Sequence, residues 1–284
     1  NSNHHTNSDK MWDYLSHNAR VRVSLFVTCL VDQLRPQVGW SSVELLRRAG
    51  CEVDFDPRQT CCGQPALNSG HQNQAKAVAR GLVGTFSKPE KPVDAIVTPS
   101  GSCCSMTQRY PELFADDSKM AKPARDVAAK TYELAAFLVD KLQVADIGAE
   151  LSGRVSWHDS CHGLRELHLK AAPRVLLANV KGLELVEASL SEECCGFGGT
   201  FAVKNPELSV AMADKKIDEL EQLGIDWVTG ADLSCLMQLG GRLERRGSKI
   251  RAVHFAELIA GGLPGASSGA KPGTTTHAKS EFSV

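Results

Sequence analysis

Ten cysteines punctuate the 284-residue chain: Cys29, Cys51, Cys61, Cys62, Cys103, Cys104, Cys161, Cys194, Cys195 and Cys235. Six of them stand in adjacent pairs. Neighbouring residues rarely have the side-chain directions that a relaxed disulfide needs, so an extracellular disulfide framework is a poor account of them. Clustered thiols in a reducing compartment ligate metal or do redox work. Thiolate is the soft donor that selects zinc, copper(I) or iron–sulfur clusters.

The spacing sharpens this. Thirty-one residues separate Cys29 from Cys61-Cys62-Gly63, and forty more lead to Cys103. Thirty-two separate Cys161 from Cys194-Cys195-Gly196, and thirty-nine more lead to Cys235. The flanks agree: Val97–Cys103 resembles Val228–Cys235, and each half closes on an apolar segment carrying Glu-Leu, at Glu133-Leu134 and Glu257-Leu258. Such self-similarity is the mark of a duplicated unit. Packing alone does not demand cysteine at the same offsets twice. The expected ligands are therefore Cys29, Cys61, Cys62 and Cys103 in the first half, and Cys161, Cys194, Cys195 and Cys235 in the second. Four thiolates suit tetrahedral zinc and a cluster equally. Structural zinc uses a gap of two to four residues between paired ligands, whereas adjacent cysteines diverge towards different atoms of a larger centre; this favours iron–sulfur. Cys51, unmatched in the second half, reads as a small buried hydrophobe. Cys104, opposite Leu236, reads as a spare ligand or a packing residue.

Around Cys161, the rings of His158 and His162 read first as structural hydrogen-bonding groups and second as donors to cluster sulfur, which would raise its reduction potential. Asp159 reads as a turn cap or an acid. Arg165 and Lys204 would offset cluster charge or lie on the surface. A Cys161-His162 nucleophile–base pair is disfavoured, because sequence neighbours on an extended segment face apart. No Gly-x-Gly-x-x-Gly or Walker-type phosphate loop is present, and no Ser/His/Asp elbow.

The elements that must position these thiols alternate. Val21–Val27 alternates apolar and other residues and ends just before Cys29. A helix over Val38–Ala49, a strand at 51–55, a helix whose one face carries Ala75, Val78, Ala79, Leu82, Val83 and Phe86, and a strand at Ala95–Val97 complete the first unit. The second repeats it, with strands at Val155–Trp157, Leu183–Val186 and Asp226–Thr229 and helices at Pro173–Val180 and Pro206–Leu223. The expected fold is α/β: tandem duplicated domains related by a pseudo-twofold, each a small parallel sheet flanked by helices. The thiols would gather beyond the carboxyl ends of the strands. The domains are read as 20–148 and 149–264, after a polar N-terminal segment at 1–19 and before a disordered Gly/Ser/Thr/Lys-rich tail at 265–284.

Composition narrows the class. Lys+Arg number 32 against 33 Asp+Glu. Such neutrality argues against nucleic-acid binding. No stretch reaches the roughly 20 apolar residues of a membrane span. The first residues lack the basic-then-apolar pattern of a signal peptide, so a cytoplasmic location is expected.

Two motifs carry a resemblance: Trp157-His158-Asp159-Ser160-Cys161-His162-Gly163-Leu164-Arg165-Glu166-Leu167, and Glu193-Cys194-Cys195-Gly196-Phe197-Gly198-Gly199-Thr200-Phe201-Ala202-Val203-Lys204, with Cys235-Leu236-Met237-Gln238 beyond them. The sequence resembles the CCG-domain proteins. These include the heterodisulfide reductase B subunit, the iron–sulfur subunits of glycolate oxidase and anaerobic glycerol-3-phosphate dehydrogenase, and, most similar, the lactate-utilisation protein A family. The resemblance covers about residues 20–263. It implies a cytosolic iron–sulfur electron-transfer subunit, not itself catalytic, in a complex oxidising L-lactate to pyruvate. Its partners would be the other subunits of that complex. The implied cofactors are clusters of the [4Fe-4S] type, with zinc as the alternative at one site. Relatives end their motif in Cys-x-x-Cys around a noncubane cluster; here Met106 and Gln238 occupy the last positions. That departure weighs against heterodisulfide-type catalysis and leaves electron transfer intact. The rival readings are a zinc-binding, non-redox scaffold subunit and a thiol/disulfide reductase.

Overall fold

The structure, a computed structural model, describes residues 20–261; the segments 1–19 and 265–284 lie outside the described residues. Strands β1 (Arg22–Leu25), β2 (Glu52–Asp54), β3 (Ala95–Thr98) and β4 (Thr131–Glu133) form one parallel sheet in the order β2-β1-β3-β4. Strands β5 (Glu150–Trp157), β6 (Lys181–Leu185), β7 (Trp227–Gly230) and β8 (Arg251–His254) form a second, also parallel, in the matching order β6-β5-β7-β8. Parallel neighbours need crossover helices, which explains the alternation. The central strands β3 and β7 are buried along their whole length, as a sheet covered on both faces requires. Leu25 pairs with Val97 and Trp157 with Thr229, so the central strand pairs of the two sheets share one register.

The long helices follow the expected periodicity, at Pro36–Arg48, Gln72–Ser87, Ala171–Ala178 and Pro206–Gln222. Ala75, Ala79, Leu82, Val83 and Phe86 form the buried stripe of the second of these.

Two expectations need correction. Each half has four strands, not three: β4 and β8, of three and four residues, are too short for any period to show. The Glu-Leu landmark is also misaligned. Thr98 pairs with Glu133 and Gly230 with His254, so His254, and not Glu257, is the counterpart of Glu133. Both side chains accept hydrogen bonds from the helix that follows: Glu133 from the Ala135 and Ala136 N–H groups, His254 Nδ1 from the Ala256 N–H.

The halves are not separate globules. The segment Leu134–Lys141 that ends the first half packs on the helix Ala171–Ala178 of the second. Symmetrically, the helix Phe255–Gly261 packs on Pro36–Arg48 of the first. One core results, running from Val23, Leu45, Leu46 and Phe137 to Trp157, Leu176, Phe255 and Ile259. No helix among the described residues is long and apolar enough to cross a membrane.

Glu133 carries a testable cost. Burial pushes its carboxyl up to about 8, against the lowering effect of the helix N–H groups, and its Oε1 has no partner. An unfolded Glu titrates near 4.3, so stability from this group is complete below that value and drains away as pH rises towards 8. Glu133→Gln, which keeps the accepting oxygen, is expected to exceed the wild type in stability at pH 8 by roughly 1–3 kcal/mol, with the gap closing by pH 4. Urea titrations at the two pH values measure it.

Candidate metal centre

In both sheets the strand order reverses between the two central strands, the place where open α/β sheets form a crevice at their carboxyl ends. Cys29 opens the helix Cys29–Leu34 after β1, and Cys161 opens Cys161–Arg165 after β5. Cys103 and Cys235 sit in the first turns of Gly101–Gln108 and Leu233–Arg245, after β3 and β7. Ser100 Oγ caps the first of these by accepting from the Cys103 N–H at 3.2 Å. Helix N-termini stabilise thiolate.

The Cys-Cys-Gly segments occupy the loops after β2 and β6. Gly63 and Gly196 take φ of +90° and +86°. A β-carbon there would lie 3.0 Å from the Ala75 carbonyl oxygen and 2.4 Å from that of Ser209, so only glycine lets each loop rest on the following helix. Each glycine N–H then turns back to the first thiol of its pair, Gly63 to Cys61 Sγ and Gly196 to Cys194 Sγ, both at 3.4 Å.

The thiols meet in two chains of contact. Cys29 hydrogen-bonds Cys61, Cys61 contacts Cys62, and Cys62 Sγ lies 3.5 Å from Cys103 Sγ. In the second half Cys161 neighbours Cys194, Cys194 neighbours Cys195, and Cys195 Sγ lies within 4.8 Å of Cys235 Sγ. Hydrogen bonds from Cys29 and Cys62 hold the Cys61 thiol far below its usual range, and those from Cys161 and Cys195 do the same for Cys194. All eight line a single cavity of about 370 Å³ between the halves. The halves also touch across the gap, Gln64 Nε2 lying 3.1 Å from Nε2 of His162 in the helix Cys161–Arg165, and Ser69 Oγ 3.2 Å from Thr200 Oγ1.

The two unmatched cysteines lie elsewhere. Cys51 packs in the shared core, and burial pushes its thiol up to about 12. Cys104 is buried with its Sγ 3.9 Å from the Thr131 carbonyl oxygen and from Gln108 Nε2; it packs against β4.

The neighbouring polar residues are sorted by the fold. Asp159 is neither a turn cap nor a free acid. Its fully buried carboxylate accepts from both terminal nitrogens of Arg174 at 2.9 Å and from Lys170 at 3.1 Å. Burial alone would raise its pKa; these cations outweigh that and hold it below the usual carboxylate range. His162 turns its Nε2 to Gln64 Nε2 at 3.1 Å and to a Glu166 carboxylate oxygen at 3.9 Å. Lys204 is exposed, whereas Arg165, also exposed, favours the Cys161 thiolate.

Sequence reasoning missed Asp232 and Lys216. Asp232 Oδ1 accepts from Ser100 Oγ, Ser102 Oγ and the Ser102 N–H, clasping the first half to the second beside both thiol sets. Lys216 is buried and donates to the Leu190 and Ser191 carbonyl oxygens. Its signal was available: it shares the apolar stripe of its helix with Ala213, Ile217 and Leu220.

Residues 23–108 and 155–240 each match the cysteine-rich domain family, CCG. Lactate utilization protein A of Bacillus cytotoxicus is 50% identical over 239 residues, which are 84% of this chain and 98% of the relative. The proteins of that name from Bacillus cereus and a Geobacillus species are 49% and 48% identical over the same length, covering 98% and 99% of the relatives. The chain belongs to the lactate utilization protein A family of CCG-domain proteins. Met106 and Gln238, three residues after Cys103 and Cys235, brace the thiol loops. Met106 is buried beside Cys62 and Cys103. Gln238 donates to Ser209 Oγ at 2.8 Å, and Ser209 in turn donates to the Gly196 carbonyl oxygen at 2.8 Å.

Proposed function

We propose that the chain is the iron–sulfur electron-transfer subunit of a cytoplasmic complex that oxidises lactate to pyruvate. The observation that carries the reading is the convergence of two fourfold thiol sets on one cavity. The donors fit the group: thiols in chains of contact, with the His158 ring beside Cys195 and Cys235 and adjacent cysteines able to reach different iron atoms. Cys29, Cys61, Cys62 and Cys103 would hold one cluster; Cys161, Cys194, Cys195 and Cys235 would hold the other. A bound cluster supplies one-electron storage on sulfur-ligated iron. The protein supplies the rest. Glycine amides and helix N-termini neutralise thiolate charge, and Phe197, Pro65 and Val203 lend the cavity wall apolar surface.

The relatives are named for lactate utilisation. Lactate oxidation releases two electrons and two protons, so two one-electron centres match its electron count. His162 on the cavity wall is engaged through Nε2 by Gln64 and Glu166. The reading assigns chemistry on lactate to a partner subunit and electron carriage to this one.

Protein purified anaerobically is expected to be brown, with iron and acid-labile sulfide in near-equal amounts. Colourless protein holding zinc alone would favour the scaffold reading, and turnover of a disulfide by the isolated subunit would favour the reductase.

A further inference from the structure

The two thiol sets are built on superposable frames but have different surroundings. Phe26 donates its backbone N–H to the Val97 carbonyl oxygen at 2.8 Å, and His158 donates to Thr229 at 2.7 Å. Val97 and Thr229 are register partners of Leu25 and Trp157, so Phe26 and His158 occupy one place in the two halves. Ala75 and Ser209, the carbonyls under Gly63 and Gly196, likewise correspond. Seven residues further along their helices stand Leu82 and Lys216, both fully buried.

In the first half this environment is apolar. Phe26 packs edge-on against Phe86 at 5.5 Å, in a cluster with Leu82, Cys62 and Cys103. In the second half it is polar. The His158 ring is 2% exposed, neither of its nitrogens has an oxygen or nitrogen partner, and a ring nitrogen lies within 4.8 Å of both Cys195 and Cys235 Sγ. A buried imidazole without a partner is costly, and the thiols it faces among the described residues are Cys195 and Cys235. Lys216 is buried in the same half with its Nζ on the Leu190 and Ser191 carbonyl oxygens; burial lowers its pKa, and the charges of Cys195, Glu219, Asp159 and Cys235 oppose that and favour the ammonium. The Asp159 carboxylate is matched by Arg174 and Lys170; Asp232, whose Oδ1 accepts from the serines of the first half and whose Oδ2 has no partner, sits between the halves and acts on Cys235 on one side and Cys104 on the other.

Hydrogen bonds to cluster sulfur and nearby positive charge both stabilise the reduced state. Resting on the proposed electron-transfer reading, we infer that the two centres are inequivalent, His158 and Lys216 making the second-half centre the more oxidising. Clusters held by the two sets would each supply one-electron storage, and His158 and Lys216 would favour the reduced state of the one held by Cys161, Cys194, Cys195 and Cys235. Lactate, oxidised on a partner subunit, is the ultimate reductant. The shared cavity places the two sets against one space.

The test is a redox titration, monitored by electron paramagnetic resonance, of full-length protein purified anaerobically. Cys195→Ser isolates the first-half centre and Cys62→Ser the second. The second-half centre is expected to have the larger reduction equilibrium constant by at least tenfold, about 59 mV for one electron. His158→Phe and Lys216→Leu, which import the residues of the first half, should each lower it. Phe26→His should raise the midpoint of the first-half centre, and this decides the matter should His158→Phe fail to retain iron. Equal midpoints in the wild-type frames, or an unmoved midpoint in His158→Phe protein with full iron and sulfide, would overturn the inference while leaving the electron-transfer reading standing. Wild-type protein without iron and sulfide would sink both, and metal analysis shows that before any titration begins.

Discussion

Cys195→Ser protein, purified anaerobically as the full chain, is expected to carry about half the iron and sulfide of the wild type, because one centre is lost outright. Cys195 is the middle of its set: 3% exposed, in contact with Cys194 on one side and Cys235 on the other. Serine offers a hard oxygen with a far higher pKa in place of a soft thiolate, so the donor set falls from four to three at its most enclosed position. The loss stays local because Cys195 packs in the satellite cluster around Ala213, Ile217 and Leu239, away from the core that joins the halves. Replacing one buried sulfur there costs no more than about 1–3 kcal/mol. Circular dichroism should therefore remain native while the iron count halves. Cys62→Ser should give the mirror result. Full iron in either variant, or complete loss of iron in a chain that remains folded, would refute the assignment of four ligands to each half.

Arg174→Ala should be the most destabilising change outside the thiols. The Asp159 carboxylate has no solvent exposure, and Arg174 supplies two of its three charged hydrogen bonds. The remaining partner, Lys170, is 44% exposed and shared with Glu192. Truncating one member of a buried pair leaves an uncompensated charge and costs about 3–5 kcal/mol. At roughly 2–4 °C of melting temperature per kcal/mol for a chain of this size, a fall of about 6 °C or more is expected. The pH dependence carries its own sign. Asp159 is held below the usual carboxylate range, so its contribution is present above the unfolded value near 3.9 and is lost as pH falls through the folded value. The gap between wild type and variant should be widest near pH 7 and shrink below pH 4. Because the core is common to both halves, the loss should appear as one unfolding transition and not as the melting of the second half alone. Asp159→Asn combined with Arg174→Ala should cost less than the sum of the single changes. A shift of under 2 °C at pH 7 would show that Lys170 suffices.

Much of the fold and of the thiol geometry was legible because it depends on spacing. A strand-helix-strand unit has a nearly fixed residue count, so cysteines recurring at the same offsets had to recur at the same ends of the same strands. The stripe from Ala75 to Phe86 was readable for a similar reason: a helix long enough to show its period declares which face it buries. The Cys-Cys-Gly glycines were readable as places of close backbone approach, and the Ala75 and Ser209 carbonyls are what they approach.

What the sequence by itself determined, then, is the duplication, the parallel α/β units and which eight thiols gather. Tertiary structure alone decided what each buried face is buried against. Periodicity marks an inward side but is silent about the partner, and here the partners lie far off in the chain: Leu134–Lys141 on Ala171–Ala178, Phe255–Gly261 on Pro36–Arg48, and Ser102 on Asp232. The same limit hid β4 and β8, whose three and four residues are strands only because β3 and β7 lie beside them. It also hid the difference between the two centres. Phe26 and His158 differ visibly in sequence, but that they fill one place is a fact of backbone register, set by hydrogen bonds to Val97 and Thr229 some seventy residues downstream of each.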